Sequence, residues 1–125
     1  MIKLDGSTLI ITQGDTGPLT VNVTNGTAGS GDKVQLTFTD EKKNVILQKM
    51  ADFRSNAATV SFENADTADI PQGMYLWEIR IVTGATVTDG KITAWTDIIT
   101  PFDGGQPLRI AEALGDIGVT ASGGD

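Results

Sequence analysis

The chain reads as an all-β protein: an immunoglobulin-like β-sandwich of about seven strands, followed by a short helical or irregular C-terminal segment. Three observations predict this. Apolar residues alternate with polar ones, largely threonine, through several short runs, the pattern of strands with one face on a core and one in water. Clusters of Gly, Asp, Asn and Pro separate those runs. The length, 125 residues, suits one domain with one core. Glycine supplies 15 of those residues against about 7% in an average chain, which fits a fold made of many turns.

The strands are expected at 7–12, 18–24, 33–39, 45–50, 58–62, 74–83 and 91–100. In the second, Leu19, Val21 and Val23 alternate with Thr20, Asn22 and Thr24. In the third, Val34, Leu36 and Phe38 alternate with Gln35, Thr37 and Thr39, and in the fifth Ala58, Val60 and Phe62 alternate with Thr59 and Ser61. Lone strand pairs are marginal in water, so these strands must close over one another. The longest run, 74–83, sends Tyr75, Trp77, Ile79 and Ile81 one way and Glu78 and Arg80 the other, which makes Trp77 the expected centre of the core. The predicted core is therefore Trp77, Tyr75, Ile79, Leu36, Phe38, Val60 and Phe62. Met74, Leu76 and Val82 on the second face imply that a loop or a subunit contact partly covers it. In the run 91–100, Trp95 falls on the face of Lys91 and Asp97. It is either a contact residue or turned inward by a bulge.

The last quarter changes character. A loop, 101–107, precedes Leu108-Arg109-Ile110-Ala111-Glu112-Ala113-Leu114-Gly115, where Leu108, Ala111 and Leu114 spaced by three suggest one or two helical turns ended by glycine. Leu108 and Ile110 equally suit a strand. The expected organisation is a sandwich over 1–100, an extension over 101–118 packing on the domain or on a partner, and a flexible tail over 119–125. The candidate interface is Trp95 with Phe102, Leu108, Ile110 and Leu114.

Charge narrows the function. Nine basic and sixteen acidic residues give a net charge of −7, and residues 56–125 carry the whole excess. A surface of that sign repels phosphate backbones and anionic membranes, so neither nucleic acid nor membrane is expected as a partner. The first residues lack the apolar stretch of a signal peptide, and no run has the ~20 apolar residues of a membrane helix, so synthesis in a cytoplasm without a cleaved leader is expected.

The absence of histidine and cysteine removes disulfides, thiolate nucleophiles, Cys/His metal sites and imidazole acid–base pairs. The lysines sit in strand or turn contexts and nothing singles out a carboxylate pair, so no enzymatic activity and no cofactor are expected. Glu63, Asp66 and Asp69 offer oxygen ligands within one loop, but they lack the glycine and terminal glutamate of an EF-hand. They read as a weak calcium candidate or as a polar connection with Asx turns.

Three features occur as a set: the opening Leu9-Ile10-Ile11-Thr12-Gln13-Gly14-Asp15-Thr16, the alternating strand from Val34, and Ile70-Pro71-Gln72-Gly73-Met74-Tyr75 leading to Glu78-Ile79. The set resembles the N-terminal immunoglobulin-like domain of phage baseplate upper proteins and related tail or head-fibre proteins of phages and prophages of Gram-positive bacteria. A Gln-Gly-Asp turn after the first strand and a late Pro-x-Gly-x-Tyr-x-x-Glu-Ile strand recur there, as Pro71, Gly73, Tyr75, Glu78 and Ile79 stand here. The resemblance covers about residues 7–100; the segment from Pro101 to Gly118 has no counterpart in it, and the family usually continues into a longer chain. It implies a virion location and an attachment or oligomerisation module, associated with itself and with other virion structural proteins. The alternative is a carbohydrate- or surface-binding sandwich module of a bacterial protein.

Overall fold

A computed structural model describes residues 1–24, 26–101 and 105–114. The elements are β1 (Ile2–Asp5), β2 (Thr8–Thr12), β3 (Gly17–Asn22), β4 (Lys33–Thr39), β5 (Val45–Arg54), β6 (Ala57–Phe62), a single helical turn α1 (Asn64–Thr67), β7 (Gly73–Thr83), β8 (Thr86–Thr88), β9 (Lys91–Ala94), β10 (Asp97–Ile99) and β11 (Gln106–Ala111). The fold is all-β, with eleven strands among the described residues where seven are expected.

One layer runs β1-β2-β11-β7-β4-β5 and the other pairs β3 with β6. β5 joins them. Residues from Val45 to Asp52 pair with β4, whereas Phe53 and Arg54 pair with β6, so the strand leaves one layer and enters the other. The order β11-β7-β4-β5 opposite β3-β6 is that of the G, F, C and C′ strands over the B and E strands of an immunoglobulin-like sandwich. Tyr75, near the start of β7, donates its hydroxyl to the Pro71 carbonyl at 2.6 Å, the tie that closes the E–F corner in such folds. The Pro71-x-Gly73-x-Tyr75 pattern is this corner. Antibody domains carry a half-cystine two residues further on; here that inward position holds Trp77, whose indole N–H donates to the Ser7 carbonyl at 3.0 Å.

The core lies where the sequence puts it. Leu36, Phe38, Val60, Phe62, Trp77 and Ile79 are buried, and Tyr75 is half-buried with its hydroxyl at the surface. Phe38 of β4 and Phe62 of β6 stack across the layers, centroids 5.8 Å apart.

The C-terminal segment departs from expectation. Residues 106–111 form a strand, not helical turns, and the sheet extends past the boundary expected at residue 100. β11 is parallel to β2 and antiparallel to β7, with Leu108 opposite both Leu9 and Tyr75. Leu108 and Ile110 are consequently core residues, 0% and 1% exposed, and not interface residues. The reason is energetic. Helix propensity separates Ala, Leu and Glu from strand formers by a few tenths of a kcal/mol per residue. Burying each of two large aliphatic side chains in the slot between β2 and β7 contributes about 1.5–3 kcal/mol.

The expected strand 91–100 is also divided. β9 pairs with β8 as a hairpin turning at Asp89-Gly90, both with positive φ, while β10 returns to β7. β10 and β11 lie along the same edge of β7 but in different register: Ile99 opposes Ile81, and Gln106 opposes Trp77. One lies against residues 81–83 of β7 and the other against residues 73–77.

Candidate functional site

Two surface features stand out, and the strand pairings produce both. The first is the arm. Between β7 and β10 the chain leaves the layer as the β8–β9 hairpin and returns through Trp95 and Thr96. Thr96 N–H donates to the Thr83 carbonyl at 2.8 Å and closes the base. Asp32 pins that base: its carboxylate accepts from Gly84 N–H and from Gly29 N–H, each at 3.1 Å. Gly84 has φ +59, and a Cβ there would collide with the Thr96 hydroxyl, so glycine is required where the arm departs.

Trp95 follows β9 and is 52% exposed, so it is not turned inward. Val87, Ile98 and Ile99, on and beside the arm, are exposed as well. Leu114 is 92% exposed at the end of the described chain, while Phe102 lies outside the described residues. Of the five residues expected at an interface, the structure leaves Trp95 and Leu114 on the surface and takes Leu108 and Ile110 into the core.

The second feature is a groove on the outer face of the large layer. β4 has neighbours on both sides, Thr37 opposing Gln48 on β5 and Glu78 on β7. The outward side chains of three strands therefore line up across the face. Gln35, Thr37, Gln48, Glu78 and Arg80 form the floor of a cavity of about 330 Å³, with Leu76 and Gly105 on one wall and Lys43 and Val45 at the β4–β5 turn. Gln35 and Gln48 also belong to a second cavity of about 360 Å³, whose far side is Gly90, Lys91 and Ile92 at the tip of the arm. The arm thus overhangs the outer face, and Val82, which points that way, is buried although it lies outside the core cluster. Of the three apolar residues on this face, Val82 is buried, Leu76 half-buried and Met74 exposed.

Within the groove the polar groups are held. Arg80 Nε donates to Glu78 Oε1 at 2.7 Å, and Gln48 Nε2 donates to Thr37 Oγ1 at 3.2 Å. Period-two alternation marks Gln35, Thr37, Glu78 and Arg80 as outward-facing; their assembly with Gln48 and Lys91 depends on pairings that local sequence does not encode.

The acidic loop after β6 does other work. Glu63 N-caps α1, and Asp66 accepts the Glu63 N–H at 2.7 Å and the Lys49 ammonium at 2.6 Å. Burial raises the Asp66 pKa, but those two hydrogen bonds outweigh it and hold the carboxyl below the ordinary carboxylate range. Lys49 comes from β5 in the opposite layer and lies 5.9 Å over the Phe62 ring, so the pair ties the layers at their open side. Among the described residues no three carboxylates gather as a metal site, and Glu63, Asp66 and Asp69 do not converge.

The Gln13-Gly14 turn is structural as well. Gly14 N–H donates to the buried Thr67 hydroxyl at 2.9 Å, Gln13 Nε2 donates to the Ile70 carbonyl at 2.8 Å, and Gln13 Oε1 accepts Ala113 N–H at 3.1 Å. Among the described residues no helix is long and apolar enough to cross a membrane. No protein family, curated protein or solved structure matches the chain.

Proposed function

We propose that this protein is a non-enzymatic structural or accessory module of a phage or prophage virion, in the baseplate, tail or head fibre, serving attachment and oligomerisation. The observation that carries the reading is the arm. It projects from the sandwich with Trp95, Val87, Ile98 and Ile99 exposed around it, and exposed aromatics with aliphatic neighbours are what interfaces anchor on. The Gln13-Gly14-Asp15 and Pro71-x-Gly73-x-Tyr75 patterns that resemble baseplate proteins support the same reading. Edge strands of the layers also favour a symmetric assembly that covers them. The test is light scattering of the full chain. A defined trimer, pentamer or hexamer that falls apart on Trp95→Ala supports the proposal, and a monomer at all concentrations refutes self-assembly.

The groove favours a second reading, a carbohydrate- or surface-binding module. Its amide, hydroxyl and charged side chains are fixed on a rigid sheet, as recognition of a polar ligand requires. Oligosaccharide-dependent quenching of tryptophan fluorescence in a monomer would favour it over the virion reading.

A further inference from the structure

The charge of the groove is opposite to that of the molecule. The chain carries −7 overall, yet Lys43, Arg80 and Lys91 line the two cavities with Glu78 as the sole carboxylate among the lining residues, while Lys49 turns its ammonium to the inner face. Glu78 is bonded to Arg80 and Lys49 is bonded to Asp66, which leaves Lys43 and Lys91 without a carboxylate in ion-pair range among the described residues. The two lysines stand at opposite ends. Lys43 lies in the turn beyond Thr39, and Lys91 overhangs Gln35 from the arm. From Thr39 to Gln35 is four residues of strand, about 13 Å at ~3.3 Å per residue.

The geometry points to this groove as a binding site for an acidic oligosaccharide laid along β4. Gln35 and Gln48 each present an amide that donates and accepts at once, and Thr37 a hydroxyl that does the same, matching the hydroxyls of a sugar. The flanking lysines match acidic groups separated by a few sugar units. A peptide docking through apolar anchors would find only Leu76 and Val45 in one cavity and Met50 and Ile92 in the other, Trp77 being buried. A nucleic acid would meet the repulsion of the remaining surface. The inference rests on the surface-binding reading and gives it a site and a ligand class.

Titration of the full chain with tetragalacturonate at low ionic strength tests it, with cellotetraose as the neutral control. Binding of the acidic chain that weakens with salt and falls about tenfold in Lys43→Gln/Lys91→Gln supports the site. Both lysines are exposed, so the variant should keep its fold, which circular dichroism checks. Gln35→Ala, which removes a floor amide, should weaken binding with the charges intact. Equal affinity for cellotetraose would overturn the acidic requirement. Salt-dependent self-association that Lys43→Gln/Lys91→Gln abolishes would assign the groove to a second copy of the chain and overturn the proposal. Glycan binding lost on Trp95→Ala but untouched by the groove variants would sink the groove and leave surface binding standing.

Discussion

Leu108→Ala measures how far β11 belongs to the domain. Leu108 is fully buried between Leu9 of β2 and Tyr75 of β7. Removing three of its carbons forfeits about 2.4 kcal/mol of transfer free energy at ~0.8 per methylene. The cavity left behind adds to this, because three strands hold the slot open, and the total should fall at about 3–4 kcal/mol. That is a large share of the roughly 5–15 kcal/mol that keeps a domain folded. Urea unfolding followed by the fluorescence of Trp77 reads the change as a lower midpoint with an unchanged slope. Leu114→Ala, at an exposed position, is the control and should stay within about 0.5 kcal/mol of the parent. If Leu108→Ala behaved like Leu114→Ala, β11 would not be a core strand in solution, and the account of the C-terminal segment would fail.

Other outcomes follow from the same contacts. Tyr75→Phe loses the hydrogen bond to the Pro71 carbonyl and should cost about 1 kcal/mol in thermal or denaturant unfolding. Gly84→Ala puts a Cβ against Thr96 at a positive φ; amide exchange should accelerate across residues 84–97 while the core strands keep their protection. The Asp66 carboxyl is held below its unfolded value of about 3.9, so the unfolded chain takes up the proton first as pH falls. Its contribution is complete above that value and is lost as pH drops through the lower folded value. Asp40 and Asp52 are shifted the same way, by Asn44 and by Lys33 respectively, but both are exposed and screened. Asp66→Asn should therefore reduce the acid sensitivity of unfolding without abolishing it, a difference that midpoints at a series of pH values will show.

Some of the site was legible before the fold, and the limit is physical. Alternation identifies Gln35, Thr37, Glu78 and Arg80 as outward-facing because side-chain direction in a strand depends only on residue parity. It also draws attention to Trp95. What parity does not carry is which strands become neighbours. The groove requires β4 between β5 and β7, and it requires a hairpin inserted between β7 and β10 to bend back over the face. The run 91–100 reads as one strand because its alternation continues through Trp95. The chain divides there because Thr83 takes Thr96 and Asp97 as partners, sending the preceding residues out into the arm.

The amino-acid sequence alone determined the class of the protein, the inward-facing residues of its central strands and the chemistry closed to a chain without histidine or cysteine. These depend on local spacing and composition, and no distant contact can change them. Tertiary structure decided the fate of the C-terminal segment, the arm and the assembly of the groove. Leu108 and Ile110 fit a short helix or a strand almost equally well. Only the slot between β2, about a hundred residues earlier, and β7 makes burial as a strand the lower free energy.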